Sequence, residues 1–198
     1  MQIAKTTNVQ PFELNYDRYT MEQYDRDIVN AIPFHHELHT QITNFLLNHF
    51  NKNECLRVLD LGVGTGITST AVRDVFLNTE LTVIDFSKTM LAGARKKLGS
   101  EVAYILGDYN NVNLPTNQNV ILSVIGFHHQ NVSGARNLDS KIFDALNSGG
   151  LIVIGDLMTV VYKHQAALDY AHHYHHLVEK AADDTVLREW AYHHQFLN

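Results

Sequence analysis

Twelve residues, Arg57-Val58-Leu59-Asp60-Leu61-Gly62-Val63-Gly64-Thr65-Gly66-Ile67-Thr68, restrict the possible folds more than any other stretch of the chain. An apolar run closes on an acid, three glycines follow at alternate positions, and helix-permissive residues come next. This is the pattern of a buried parallel strand, a tight loop and a helix start. Gly62 lets the chain leave the strand through a backbone angle that side chains disfavour. Gly64 lets a ligand approach the main chain, and Gly66 brings the helix close to the strand. The free N–H groups at the helix start favour a negative group such as a carboxylate or phosphate.

The flanking segments repeat the theme. An irregular lead over 1–15 precedes a helical segment over 16–29, and Pro33 breaks it before a second helix over 34–50. Strands are expected at 56–61, 81–85, 101–106, 120–125 and 151–155. Helices are expected at 66–76, from the Ser87 cap to Leu98, and at 139–146, where Asn147-Ser148-Gly149-Gly150 marks the stop. The strands are continuous apolar runs without period-two alternation, as in a parallel sheet covered on both faces. The expected fold is therefore α/β, a doubly wound Rossmann-like sheet in strand order 3-2-1-4-5, followed by a helical tail of two helices over 163–182 and 184–196. Within one compact domain this divides into a helical lead or lid over 1–50, a core over 51–157 and the tail over 158–198.

The chain has 198 residues, enough for one domain with a sizeable core, since 45% of them are hydrophobic. Its net charge of -6 argues against holding nucleic acid by charge alone, although a local basic patch leaves tRNA open as an acceptor. The single cysteine, Cys55, allows no intramolecular disulfide and is read as a packed residue at the strand entrance. The N-terminus has no signal-peptide core and no apolar run approaches bilayer length, so the reading is a cytoplasmic protein without a membrane partner.

Asp60, Asp85 and Asp108 stand at or just past three strand ends, and Asp156 follows the fifth. Ligands in open parallel sheets bind at these ends. Asp85 lies about twenty residues beyond the glycine loop, where an acid accepts from ribose hydroxyls. With these residues the chain resembles the class I methyltransferases that bind S-adenosylmethionine. Val58 to Gly66 matches their first motif, Ile84-Asp85-Phe86-Ser87 with Met90 the second, Gly107-Asp108-Tyr109 the third, and Leu146 to Gly150 the motif before strand five. A nicotinamide dehydrogenase fits less well, because its glycine pattern is GxGxxG and an acid seldom ends its first strand.

The resemblance implies S-adenosylmethionine as cofactor. The Gly62, Gly64 and Gly66 loop would cradle its methionine part, with Asp60 orienting the amino group. Asp85 would bind the ribose, Phe86 and Met90 would flank the adenine, and Asp108 with the Tyr109 backbone would meet the adenine amino group. Ser123 to Gly126 would pass under the sulfonium. Tyr24-Asp25-Arg26 with Ile32-Pro33-Phe34 is similar to a subgroup that includes the carboxy-S-adenosylmethionine synthase of tRNA wobble modification, and there Tyr24 and Arg26 would form a lid. His128 and His129, after strand four, are the catalytic candidates, as a base or as shapers of the acceptor site.

The tail histidines are weighed separately. His172 and His176 share a face at i, i+4, but with no His-Glu-x-x-His and no paired cysteines no metal site is assigned. Ala167, Ala171, Tyr174, Leu177 and Val178 are read as the buried stripe, with the histidines on the flank and outer face. The family usually adds two further strands, so truncation is expected, and strand five would need cover from the tail or from a second copy in a homodimer. The resulting function is methyl transfer to O or N of a small molecule. The alternatives are a non-catalytic cofactor-binding relative, a tRNA-modifying enzyme of the carboxy-S-adenosylmethionine type, or a metal-dependent O-methyltransferase using the tail histidines.

Overall fold

The computed structural model describes residue 16, residues 19–158 and residues 162–194; the irregular lead over 1–15 and the end of the second tail helix lie outside them. Five strands form one parallel sheet in the order β3-β2-β1-β4-β5: β1 (Leu56–Leu61), β2 (Thr79–Asp85), β3 (Ala103–Leu106), β4 (Gln118–Val124) and β5 (Leu146–Gly155). Val58 pairs with Leu81 and Val120, and Leu59 with Thr82 and Ile121. Strand order reverses between β1 and β4, so their C-terminal ends open a crevice there.

Alternate residues of the central strands serve two separate cores. Val58, Val83, Val120 and Leu122 face Leu46 of α2 (His35–Leu47), Val72 of α3 (Ile67–Val75) and Ala94 and Leu98 of α4 (Lys88–Leu98). Leu59, Leu61, Ile84 and Ile121 face Leu138 and Ile142 of α5 (Val132–Ala145). Both faces of β1 are thus covered, and every residue of it but Arg57 is buried. No helix links β3 to β4. Instead Lys141 of α5 donates to the carbonyls of Tyr109, Asn110 and Val112 at 2.9, 2.8 and 2.7 Å, which fixes the connecting loop.

Several boundaries differ from expectation. α5 begins seven residues early, because Asn131 accepts from the Gly134 N–H at 2.8 Å and caps it. Asn147–Gly150 do not stop that helix. They lie within β5, between the pairs Gln118–Leu146 and Val120–Leu151, as an irregularity with Gly149 at φ 79°. Cys55 is exposed, its Sγ 3.8 Å from Glu80 Oε1.

The tail departs most. α6 (Lys163–Glu179) and α7 (Asp184–His193) pack on the end of α1 (Met21–Ala31), where Leu177, Val186 and Trp190 enclose Ala31 and Ile32. Ala167, Ala171, Tyr174 and Val178 are exposed, and the packed face of α6 carries His173 and Leu177. The reason is two orphan carbonyls at the C-terminus of α1. His173 Nε2 meets Ala31 O at 2.8 Å, and His176 Nε2 meets Asn30 O at 2.9 Å. The described residues of the tail leave Ile152 and Ile154 of β5 38% and 45% exposed. No helix among the described residues is long and apolar enough to cross a membrane.

Candidate functional site

The glycine loop leaves β1 by a double tie to the neighbouring strand: Gly62 and Val63 N–H groups donate to Ile84 O at 2.9 and 3.1 Å. Gly62 and Gly64 adopt left-handed backbone, φ 77° and 54°, which a side chain would strain. Asp85 closes the loop from β2. Its Oδ2 accepts from Gly64 N–H at 2.9 Å and its Oδ1 from Ser87 N–H at 2.8 Å. The Ser87 hydroxyl in turn accepts from Met90 N–H at 3.2 Å and caps α4, which places Phe86 and Met90 beside Asp85.

A cavity of about 570 Å³ opens over this loop, within the size range of small-molecule sites. Gly62 and Gly64 line it together with Asp85, Phe86 and Met90; Asp108, Tyr109, Asn110 and Asn111 follow from the β3 end, and Ile125, Gly126, His129 and Gln130 from the β4 end. Tyr16 and Tyr24 complete it as an aromatic cover. The Tyr24 ring lies 3.7 Å from where a Gly64 Cβ would stand, and the Tyr16 ring stacks edge-on to Tyr24 and Phe86 at 6.2 and 5.7 Å. Burial, before the nearby acids, raises both phenol pKa values, so both hydroxyls stay protonated.

The expected site residues separate into two sets. Gly62, Gly64, Asp85, Phe86, Met90, Asp108, Tyr109, Tyr24 and His129 line the cavity. Asp60, Gly66, Ser123, Arg26 and His128 do not. Asp60 is buried behind the loop, where Ser69 Oγ donates to it at 2.6 Å, and burial pushes its carboxyl pKa up to about 7. Gly66 is the N-cap of α3, and a Cβ there would come within 3.1 Å of Leu98. Ser123 is fully buried, behind Gly126. Arg26 turns outward to Asp27 at 3.1 Å with its side chain 65% exposed. Its neighbour Asp25 faces inward instead, accepting from Thr65 of the glycine loop and from Lys97 of α4.

Sequence reasoning missed Tyr16, Asn110, Gln130 and Asp25. Tyr109 has more than a backbone role: its hydroxyl donates to Gly126 O at 2.8 Å and accepts from Gln130 Nε2 at 3.1 Å, tying the β3 end to the β4 end. Asn110 bonds Gln130 and accepts from Asn137 Nδ2 at 3.1 Å. The polar stretch Tyr109 to Asn119 hinted at this amide-rich wall, but the partners in α5 left no local signal.

A second cluster adjoins the cavity at its β4 end. His128 and His129 sit on a 3₁₀ turn (Phe127–His129), and His193 comes from α7. His128 Nδ1 lies 2.6 Å from Asp156 Oδ1, and its backbone N–H donates to Asp156 Oδ2 at 2.9 Å. Burial works to raise the Asp156 pKa, but the hydrogen bonds from His128 and from Leu157 N–H outweigh it and hold the carboxyl below its usual value. His128 Nε2 meets His193 Nδ1 at 2.9 Å, and His129 Nε2 meets the Tyr16 hydroxyl at 3.3 Å. Burial, then the neighbouring His128, lowers His129 to about 3 and His193 well below 6.5, so both are neutral at physiological pH. One ring nitrogen from each of the three histidines falls within a 4.8 Å group. Of the tail pair, His172 is exposed and His176 Nε2 is taken up by Asn30 O of α1.

Residues 58–150 match the family described as a methyltransferase domain. The malonyl-[acyl-carrier protein] O-methyltransferase of Neorickettsia risticii (strain Illinois) is 37% identical over 67 residues, 34% of this chain and 27% of that protein. The demethylmenaquinone methyltransferase of Leptospira interrogans serovar Lai (strain 56601) is 28% identical over 138 residues, 67% of this chain and 55% of that one. The chain thus spans about half or less of the curated relatives it matches. The crystal structure of the plantazolicin methyltransferase BpumL, in complex with a triazolic desmethylPZN analog and SAH, superimposes with a TM-score of 0.64 at 18% identity, over 89% of this chain and 64% of that one. At that identity the likeness is one of fold.

Proposed function

We propose that this chain, whose residues 58–150 match a methyltransferase domain, is a methyltransferase of the class I, S-adenosylmethionine-dependent kind that transfers a methyl group to an oxygen or nitrogen of a small molecule. The cavity over the glycine loop carries the proposal, because its residues fit that cofactor. Gly62 and Gly64 leave its floor open, where a Cβ on either would meet nothing nearer than 3.7 Å. The Asp85 carboxylate, whose oxygens accept from the Gly64 and Ser87 N–H groups, lines the cavity where ribose hydroxyls would reach it. Phe86 and Met90 offer apolar flanks for a base, and Asp108 an acceptor for an exocyclic amine.

When bound, the cofactor supplies a methyl group on a positively charged sulfur, which passes in line to a lone pair. The lining suits a cation: it has the acids Asp85 and Asp108 and the rings of Tyr16, Tyr24 and Phe86, with no lysine or arginine among the described residues. The same lining disfavours a polyanionic acceptor, which supports a small molecule over tRNA. Arg26, turned out to Asp27, does not offer the cavity a partner for a carboxylated cofactor.

His129 is the chain's own group at the acceptor end. With a pKa of about 3 it is a weak base, so its ring shapes the acceptor end of the cavity while the acceptor proton leaves to solvent. The test is calorimetry with S-adenosylmethionine and S-adenosylhomocysteine, followed by transfer of a radiolabelled methyl group into metabolite and tRNA pools. Label in the metabolite fraction is the expected result. Label in tRNA overturns the acceptor class, and tight binding with no transfer to either pool identifies a non-catalytic cofactor-binding relative.

A further inference from the structure

We propose that His128, His129 and His193 form a binding site for a divalent transition ion of the zinc class. The three side chains come from two separate elements, the turn after β4 and the last helix of the tail, and their ring nitrogens gather within 4.8 Å. His128 Nε2 and His193 Nδ1 are 2.9 Å apart. Two nitrogens at that distance share either a proton or a cation. Tetrahedral Zn–N bonds of about 2.0–2.1 Å set ligand nitrogens about 3.4 Å apart, which this pair reaches by a small ring movement.

The surroundings are those of a built metal site. A carboxylate only accepts, so the 2.6 Å contact with Asp156 places the His128 proton on Nδ1 and turns the Nε2 lone pair toward the cluster. A ligating histidine held through its other nitrogen by a carboxylate is the usual outer-shell arrangement. Asp156 is itself fixed by the N–H groups of His128 and Leu157, and both side chains are almost fully enclosed, 3% and 4% exposed. The Trp190 ring packs 4.9 Å from that of His193. Three imidazoles without a thiolate select zinc, cobalt or nickel over calcium or magnesium, which take oxygen ligands. Three protein ligands also leave a fourth position for water or an acceptor oxygen. His129 belongs to both the cluster and the cavity wall, so the ion would stand at the acceptor end. That last placement rests on the function proposed above; the ion site itself does not.

The test uses the full chain, stripped with a chelator and titrated with Co²⁺, whose visible absorption reports four-coordinate nitrogen ligation. One tightly bound equivalent is expected. His193→Gln and His129→Gln should each weaken it at least tenfold, and Asp156→Asn, acting through His128, by about 10–100-fold. The double variant His172→Ala/His175→Ala, in exposed tail histidines, should leave it intact. Far-UV circular dichroism and the urea midpoint of every variant report an intact fold. No retained equivalent in a chain that binds S-adenosylhomocysteine overturns the ion site and leaves the methyltransferase reading standing. Binding that survives His193→Gln, or disappears with His172→Ala/His175→Ala, also overturns it. Cobalt binding without S-adenosylhomocysteine binding overturns the other reading instead.

Discussion

Asp85 does two jobs with one carboxylate. It holds the Gly64 and Ser87 N–H groups, so it sets the shape of the glycine loop and the start of α4, and it also faces the cavity. Asp60, at the end of the adjacent strand, looks equivalent in sequence but is turned behind the loop onto Ser69. The difference predicts unequal consequences for ligand binding. In Asp85→Asn the amide oxygen can keep one backbone N–H, but the charge and the second acceptor are lost. Hydrogen bonds to a charged group contribute about 1.5–3 kcal/mol, so the Kd for S-adenosylhomocysteine should rise by about 10–100-fold. Calorimetry measures it, and an unchanged Kd removes Asp85 from the ligand contacts.

At the scale of elements, the tail is held by histidines acting as caps. His173 is 7% exposed, bonds Ala31 O through Nε2 and meets His194 Nε2 through Nδ1 at 2.7 Å. His173→Leu keeps the packing and strands the carbonyl, which should cost about 1–3 kcal/mol in urea unfolding, with His173→Gln recovering part of it. Equal stability of the leucine variant and the parent would mean that packing alone docks α6. The same contact shows which parts of the fold sequence could reveal. β1 was legible to the residue because both its faces are buried and its apolar run is continuous. The glycine loop and Asp85 were legible because they are local. The face of α6 was not, since its histidines answer carbonyls 142 and 146 residues away, and periodicity assigned them to the polar side. Arg26 and Asp25 were exchanged for the same reason: Lys97, the partner that turns Asp25 inward, stands 72 residues away on α4. Asp156 was visible as a strand-end acid, but its pairing with His128 needed β4 and β5 to be neighbours.

Over the whole molecule, two buried groups on different elements oppose each other in pH dependence. Folding raises the Asp60 pKa from 3.8 to about 7, chiefly by burial, so between these values the folded chain holds a proton that the unfolded chain has released. Its contribution is greatest in acid and falls as pH rises toward 7. Folding lowers the His35 pKa from 6.5 to about 4, again chiefly by burial and then by His39, so the unfolded chain takes up a proton that the folded chain refuses. That contribution is complete above 6.5 and is lost as pH falls toward 4. One proton of difference is a slope of about 1.4 kcal/mol per pH unit, and the two slopes have opposite sign over most of the same window. The parent should therefore show a muted response from these two sites, and single variants should separate them. Asp60→Asn leaves the histidine slope uncompensated, so stability should drop more steeply on acidification than in the parent. His35→Leu removes a ring whose Nδ1 has no hydrogen-bond partner, so no protein group is stranded and the Asp60 slope is exposed. In that variant stability should rise, relative to the parent, as pH falls from about 6.5 to about 4. Urea midpoints measured across this range decide it. The remaining titrating groups are common to all three proteins and cancel in the differences, so difference curves that stay flat would refute the burial of either charge-bearing group.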